Sequence, residues 1–234
     1  MFPLALLNKS SPPSPPVDPS LTLVLLHFDG ADESTIIVDS SSYNNTFTAQ
    51  NVAKISTDQA KFGGSSLYTV AGGNNYCSVV CNRPDGFFDL ADSDFTAEIW
   101  FYTSSVGWSK NIYAITDSTM SVLPCDAYLI DGKIRGRVQL DSDNSLVTIE
   151  HQNSYLLDSW NHFAAVRHGN NFKVYLNGIG SIATENIGNL KTGATQLRVG
   201  GSTNGINGYC DEFRLRKEAV YLNDFTPPTA PFTY

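Results

Sequence analysis

The sequence predicts an all-β protein in which two antiparallel sheets pack face to face as a sandwich. Apolar and polar residues alternate with a period of two in most segments, as they do in strands that bury one face. The dipeptides at 131–132, 169–170 and 177–178 are Asp-Gly, Gly-Asn and Asn-Gly, which accept the positive φ of tight hairpin turns. Because a single meander of strands is not stable alone in water, we expect a second sheet to cover it.

The clearest strands lie in the segment 158–186, where two turns separate three extended stretches. Residues 160–167 carry apolar side chains on both faces, which predicts a central strand covered above and below. Residues 172–177 alternate cleanly, which predicts one core face and one more polar face. The face shared in the first stretch consists of Trp160, His162, Ala164 and Val166, and the core face of the second consists of Phe172, Val174 and Leu176.

Further strands are predicted on both sides of this meander, and neither a long helix nor an internal repeat is expected. The segment 46–56 is predicted as one edge strand, and 219–232 as a tail that runs back along the surface. The other predicted strands are 21–30, 60–70, 75–80, 95–103, 113–117, 127–131, 133–141, 196–201 and 208–216.

The chain divides into an extended Pro-rich arm, residues 1–20, and a single β domain, residues 21–234. The arm holds six of the eleven prolines, a composition that favours polyproline-like chain without a core. One hypothesis is a disordered leader. The other, which we favour, is a docking arm whose apolar tip inserts into a neighbouring subunit, because a bare apolar tip promotes aggregation. That tip consists of Phe2, Leu4, Leu6 and Leu7.

Composition excludes several classes of partner. The net charge of −8 argues against nucleic-acid binding, which requires clustered Lys and Arg. No apolar run is long enough to span a membrane, so we expect no membrane insertion. The opening residues 1–7 are apolar but lack a basic region, so a secretory signal is not expected.

The four cysteines are predicted to be buried thiols that act as small apolar residues. Cys77 and Cys81 lie four residues apart, which on a strand separates them by roughly 13 Å, too far for a disulfide. A cross-strand disulfide that involves Cys125 or Cys210 remains an alternative.

Several phrases in the chain resemble the laminin-G-like branch of the concanavalin A-like lectin/glucanase jelly rolls. They occur in the family's order and cover the chain from about residue 21 to the end. The resemblance implies a laminin-G-like jelly-roll domain with two curved sheets. The ending FTPPTAPF is similar to domains of tailed-phage virion proteins and bacterial surface proteins. The phrases are LLHFDGAD (25–32), KFGGSSLY (61–68), DFTAEIWFY (94–102), WNHFAAVRHGNNFKVYLNG (160–178), LRVGG (197–201), GYCDEFRLRKEAVY (208–221) and NDFTPPTAPF (223–232).

The sequence predicts no catalytic activity. Glucanases of the resembled superfamily carry an E-x-D-x-x-E type cluster, in which two carboxylates about 5 Å apart perform retaining hydrolysis. None of the six glutamates stands in that pattern, and no G-x-S-x-G motif is present. The four histidines are scattered and are expected to be hydrogen-bonded or at the surface.

A calcium site is predicted around Asp211. This residue shares strand parity with Tyr209, Phe213 and Leu215, so its carboxylate is expected to point inward, where it needs a partner or a cation. The resemblance places the first and last strands side by side, which would bring Asp29 and the backbone oxygen of Gly30 close. Oxygen ligands suit Ca²⁺. The alternative is that Asp211 accepts hydrogen bonds from backbone amides or from a buried Arg or His.

Ligand-binding residues are predicted on the strand 95–103 and in the loop after it. Glu98, Trp100 and Tyr102 share a face opposite the core, and Tyr175 joins them as a ring able to stack on sugars. Trp108 lies in a loop, where core packing does not explain an indole. The alternative is that these rings pack beneath loops.

The leading hypothesis is a non-catalytic virion protein of a tailed phage, used as a fibre, tail or capsid-decoration module. Its expected partners are other virion proteins, bound through the arm, and a host-surface glycan; a homo-oligomer is also expected. The alternative is a secreted or surface carbohydrate-binding module, located outside the cell or on its surface.

Overall fold

The protein is a jelly-roll sandwich of two antiparallel sheets, which confirms the predicted fold class. The computed structural model describes residues 18–70, 78–201 and 205–234, so Cys77 and the predicted arm up to residue 17 lie outside the described residues. In the described part the helical content is one 3-10 turn, Pro19–Leu21, whose preceding residue Asp18 accepts the amide N–H of Ser20.

The first sheet contains the first and last strands of the chain side by side, as predicted. Its order is β14-β13-β12-β7-β17-β5-β4, with β1 also paired to β17 and β15 to β13. Strands are numbered along the chain, and those of this sheet are β1 Thr22–Leu26, β4 Lys54–Ser56, β5 Ser66–Thr69, β7 Phe95–Thr103, β12 Trp160–His168, β13 Asn171–Leu176, β14 Ile179–Gly180, β15 Glu185–Asn186 and β17 Gly208–Arg216.

The second sheet covers one face of the first. Its order is β11-β10-β9-β8-β16-β6-β3-β2. Its strands are β2 Ile36–Ile37, β3 Phe47–Ala49, β6 Val79–Asn82, β8 Lys110–Thr116, β9 Cys125–Ile130, β10 Lys133–Gln139, β11 Leu146–Ser154 and β16 Gln196–Val199.

The core lies between the two sheets and is rich in aromatic rings. Tyr113 of the second sheet packs between Phe163 and Phe213 of the first, with ring centroids 6.4 and 5.5 Å away. Each such side chain, when fully buried, contributes roughly 1.5–3 kcal/mol. At Gly136 of β10 the sheets approach so closely that an added Cβ would lie 2.4 Å from Val174 Cγ1.

The predicted side-chain faces of β7 and β12 are confirmed. Phe95, Ala97, Ile99 and Phe101 of β7 belong to the core, whereas Glu98 and Trp100 do not. β12 is hydrogen-bonded to β7 on one side and to β13 on the other, and it is buried over most of its length.

One strand prediction was wrong, and strands β2 and β11 were missed. The segment 46–56 is not one edge strand, because Asn51, with φ 55°, turns the chain after β3, and β4 then joins the other sheet. Strand β11 was not predicted; its inward side chains include Ile149 and His151, but most of its other residues face solvent.

The outer face of the first sheet is covered by the tail, residues 217–234. Tyr221 and Phe225 stack on each other at 3.6 Å with nearly parallel rings, and both pack against Tyr175. Phe232 packs with Leu25 and Trp100 in a second apolar cluster. The first sheet is therefore buried on both faces over much of its area.

The tail is held by the hairpin turn at Asn177 and Gly178. Phe225 donates its amide N–H to the oxygen of Gly178, and a Cβ added to Gly178 would lie 1.9 Å from the oxygen of Phe225.

We predict that Gly178→Ala destabilises the fold clearly more than Gly169→Ala in thermal and urea unfolding. Both glycines have left-handed φ, which costs alanine roughly 1–2 kcal/mol, but Gly169 has open space. Equal losses would show that the tail contact is unimportant.

Candidate functional site

Glu98 lies at the centre of a buried polar cluster on the outer face of the first sheet. Its Oε1 accepts hydrogen bonds from Nε and Nη2 of Arg214 at 2.9 and 2.5 Å. Its Oε2 lies 3.1 Å from Nε2 of His162 and accepts the hydroxyl of Tyr221 at 2.8 Å. Arg214 also donates to the backbone oxygen of Thr233 at 2.6 Å. The cluster thus joins three strands to the tail.

The electrostatics of this cluster keep Glu98 ionised. Burial by itself raises the pKa of the carboxyl, but the Arg214 charge and the hydrogen bonds of His162 and Arg214 outweigh it, so the pKa of Glu98 falls to about 2. Burial next to Glu98 raises the pKa of Tyr221 well above its usual value. At neutral pH Glu98 is therefore charged and Tyr221 keeps its proton, as in a structural network and not in an acid–base pair poised near neutrality.

The part of the predicted ligand-binding face that holds Glu98, Trp100 and Tyr175 is not accessible, because the tail covers it. Glu98 is fully buried, and Trp100 and Tyr175 are 5 % and 1 % exposed. Trp100 packs edge-on against His162 and Phe62, with Lys61 Nζ 3.9 Å from its ring centroid. Trp100 and Tyr175 pack beneath covering chain, as in the alternative expectation for the rings.

Tyr102 and Trp108 are the predicted ligand residues that remain accessible. Tyr102 is half-buried near the end of β7. Trp108 is 90 % exposed in the loop that follows, next to Val106, which is 56 % exposed. An indole left this open in water has no packing role, so the loop end of the sandwich is the accessible candidate surface.

The predicted inward orientation of Asp211 is wrong, because a β-bulge interrupts β17. Glu212 has φ 53°, and the register against β7 shifts between Asp211 and Arg214. Phe213 and Leu215 therefore face the core, whereas Asp211 shares the outer face with Tyr209. A sequence pattern of period two cannot show one extra residue in a strand.

Asp211 is nevertheless fully buried, and its Oδ2 accepts the backbone N–H groups of Lys61 and Phe62 at 2.7 and 3.1 Å. This matches the predicted alternative of backbone-amide donors. Its Oδ1 has no hydrogen-bond partner among the described residues. Burial raises the pKa of Asp211 to about 8, against the hydrogen bonds from Phe62 and Lys61.

Asp29 and Gly30 lie against the same turn that holds Asp211. A Cβ added to Gly63 would lie 1.8 Å from Asp29 Oδ1, and Gly30 donates its N–H to Ser65 Oγ at 3.0 Å. No group of three or more His, Cys, Asp or Glu side chains in residues 18–70, 78–201 and 205–234 is arranged to hold a metal. Calcium at this turn therefore stays a proposal that depends on two carboxylates and a carbonyl oxygen.

Sequence reasoning missed the residues that complete the buried clusters. Arg214 was not singled out because the bulge changes which face it occupies. His27 was assigned no partner, yet its Nδ1 lies 2.9 Å from Glu212 Oε1, and this hydrogen bond raises the pKa of His27. Glu212 in turn accepts the N–H of Phe232 at 2.7 Å. The positive φ of Glu212 left no trace in the sequence.

The described cysteines are buried, as predicted, and no disulfide joins Cys81, Cys125 and Cys210. Burial raises the pKa of Cys81 to about 11 and that of Cys125 to about 12, which makes both poor nucleophiles. Among the described residues, no helix has the length and apolar character needed to cross a membrane.

The two-sheet architecture and the neighbouring first and last strands match a known family. Residues 71–221, more than half of the chain, match a laminin G family model described as concanavalin A-like lectin/glucanases superfamily. The chain belongs to this superfamily. No curated protein sequence matches this superfamily member.

Solved structures with the same fold include binding domains of clostridial toxins. The binding domain of Paraclostridial Mosquitocidal Protein 1 superposes with a TM-score of 0.65 at 15 % identity, over 87 % of this chain and 50 % of that chain. The botulinum neurotoxin serotype D binding domain gives 0.65 at 12 % identity, over 87 % and 49 %. The botulinum neurotoxin DC binding domain in complex with SialylT gives 0.62 at 14 % identity, over 87 % and 49 %. This superfamily member therefore spans about half the length of these toxin domains, with which it shares the fold.

We predict that the stabilisation of the fold by Glu98 is lost at acid pH. Its pKa in the folded state is about 2, below the ordinary value of 4.5. At pH values between these two, the folded state therefore binds fewer protons than the unfolded state does. The stabilisation is complete above pH 4.5 and is lost as pH falls towards 2. Glu98→Gln should cost about 3–5 kcal/mol at pH 7, since it leaves Arg214 without its counterion.

Urea unfolding of both proteins from pH 7 to pH 2 tests this. The difference in unfolding free energy between the wild type and Glu98→Gln should become smaller as pH falls from 4.5 towards 2. The control is Glu150→Gln, which removes a surface ion pair to Arg135 and should cost little at any pH. A constant difference between wild type and Glu98→Gln would contradict the assignment.

We predict that calcium raises the melting temperature of the wild-type protein relative to EDTA-treated protein, because a cation would satisfy Oδ1 of Asp211. A ligand at 100 times its dissociation constant stabilises by about 2.7 kcal/mol. Asp211→Asn should abolish the rise, whereas Asp143→Asn, in an exposed loop, should keep it. An unchanged wild-type melting temperature, or an equal rise in the Asp211→Asn variant, would rule out this site.

Proposed function

We propose that this protein is a non-catalytic, lectin-like binding module of a tailed-phage virion that attaches to a glycan on the host surface. The observation that carries the proposal is the contrast between its acids and its aromatic rings. The buried acids of the first sheet are committed to structural contacts, whereas Trp108 stands almost fully exposed at the loop end.

The buried carboxylates of the first sheet all make structural contacts, which argues against hydrolysis. A retaining glycosidase needs two accessible carboxyl groups about 5 Å apart, one of them protonated. Glu98 is ion-paired beneath the tail, Asp211 accepts two backbone amides, and Glu212 pairs with His27. A substrate that reached Glu98 would first have to displace Tyr221 and Phe232.

The exposed rings favour binding. Aromatic rings offer flat apolar surfaces on which the apolar faces of sugar rings stack, and a few polar groups beside them fix orientation. The toxin binding domains that share the fold include one solved in complex with SialylT and one in complex with rat synaptotagmin II. These complexes support a binding role for this fold, at a site that the present chain has to supply itself.

The virion placement is supported by the Pro-rich arm and by the resemblance of the C-terminal phrase to virion proteins. In this proposal residues 1–20 attach the module to other virion proteins, and identical subunits assemble around that attachment. The second candidate is a secreted or surface carbohydrate-binding module. It is favoured by the same exposed rings but gives the arm no function.

Glycan-array binding, followed by analysis of the bound glycan, tests the binding role. We predict retention of specific glycans without shortened products. Trp108→Ala should weaken retention several-fold and leave the melting temperature unchanged, because the indole packs against little. The matched control is Leu222→Ala, another exposed apolar residue outside the loop end, which should bind as wild type does. Turnover of the glycan, or retention of none, would overturn the proposal.

Deleting residues 1–20 separates the two candidates. The virion proposal requires that the truncated protein folds and binds glycan but no longer enters particles. Unchanged incorporation would show that residues 1–20 are not the attachment, whereas absence of the full-length protein from particles would favour the secreted or surface module.

A further inference from the structure

Four aromatic residues form one continuous row across the first sheet. They lie on four adjacent strands, β5, β17, β7 and β12, and each is the direct cross-strand partner of the next. Tyr68 is opposite Tyr209, Tyr209 is opposite Tyr102, and Tyr102 is opposite Trp160. We call these four residues the aromatic row.

The rings of the aromatic row touch each other in sequence. Their centroids are separated by 5.3 Å from Tyr68 to Tyr209, by 6.0 Å from Tyr209 to Tyr102, and by 5.8 Å from Tyr102 to Trp160. Each step is close to the length of one pyranose unit in an extended oligosaccharide. The spacing follows from the distance of about 4.8 Å between hydrogen-bonded strands.

The aromatic row is more exposed than the neighbouring row of the outer face, and Trp160 at one end of it packs against the cluster of Leu25, Trp100 and Phe232. The neighbouring row, Asp211, Trp100 and His162, is buried. All four residues of the aromatic row remain partly exposed. Cross-strand aromatic pairs stabilise a sheet by roughly 0.2–1 kcal/mol each, but that role does not require a run of four partly exposed rings.

Polar groups border the row. Ser104 and Asn207 line a cavity of about 180 Å³ together with Tyr68, Tyr102 and Tyr209. Hydroxyl and amide groups beside stacked rings are the donors and acceptors that sugar hydroxyls need.

The charges at the row favour an uncharged ligand. Lys54 continues the row on β4, with Nζ 5.7 Å from the ring centroid of Tyr68, but it is ion-paired to Glu33. Burial raises the pKa of Tyr209, and the charge of nearby Asp58 adds to this. The cation that continues the row is therefore already paired, and Asp58 adds a negative charge near Tyr209.

We propose that the aromatic row is the platform for an extended, uncharged oligosaccharide whose chain runs across the strands, with one sugar unit in contact with each ring. The inference rests on the proposed function and deepens it, because it names the surface, the direction of the chain and the class of sugar. Trp108 belongs to the loop that follows β7, the strand of Tyr102.

Calorimetric titration with cello- and malto-oligosaccharides of increasing length tests the proposal, with a sialylated oligosaccharide as the charged probe. Affinity should rise with each unit up to about four, the number of rings in the row, and then level off. Tyr209→Leu and Trp160→Leu keep apolar bulk but lose the flat ring, and each should weaken binding at least about tenfold. Tyr209→Phe should retain binding. Tyr43→Leu, a half-exposed tyrosine on a different surface, is the control.

A second measurement does not depend on the variants folding. In a spectrum of ¹⁵N-labelled wild-type protein, the indole N–H signal of Trp160 should shift with sugar concentration, while that of buried Trp100 should stay in place. If the Leu variants bind glycans as well as the wild-type protein does, the platform is overturned. It is also overturned if the wild-type protein binds glycans without a shift of the Trp160 signal. Either result leaves the proposed function standing. Preference for the sialylated probe would overturn the uncharged class. If the wild-type protein binds neither these probes nor any glycan on the array, both proposals fail.

Discussion

The structure depends on one buried ion pair, that between Glu98 and Arg214. Removing two charges from water is expensive unless each is surrounded by partners, and here His162, Tyr221 and the carbonyl of Thr233 supply them. Two of these three partners come from the tail. The tail is therefore a structural layer of the sandwich, and the ion pair explains why an outer sheet face that carries a glutamate and an arginine is not open to solvent.

The bulge at Glu212 makes this arrangement possible. Without the extra residue, strand alternation would direct Asp211 and Phe213 to the same side, and a carboxylate would enter the aromatic core. With it, Phe213 and Leu215 fill the core, whereas Asp211 lies on the outer face against the turn at Lys61 and Phe62, and Arg214 lies there beneath the tail. The carboxylate of Glu212 is hydrogen-bonded to the His27 ring and accepts the amide N–H of Phe232. One strained backbone position thus serves both sheet faces.

Sequence periodicity predicted the sandwich and the faces of β7, β12 and β13, because those strands are long and regular. Periodicity failed where the structure depends on a turn, a weakly alternating strand or a bulge, none of which produces a regular pattern in the sequence. The turn at Asn51 sends β3 and β4 to different sheets, β11 is mostly exposed and alternates weakly, and the bulge in β17 adds one residue. Whether an outer face is open or covered depends on the path of the tail, so Trp100 and Tyr175 looked accessible in the sequence. The aromatic row was equally invisible, since residues 68, 102, 160 and 209 become neighbours only through strand order and register.

The course of β17 gives the molecule a polarity. Thr22, where the chain enters the sandwich, is opposite Arg216 at one end of this strand, whereas Tyr209 lies at the other end. Seven residues of extended chain separate them, roughly 23 Å. A tether attached ahead of Asp18 would hold one pole of the domain and present the opposite pole outward, so the sandwich itself would act as a rigid spacer between anchor and ligand.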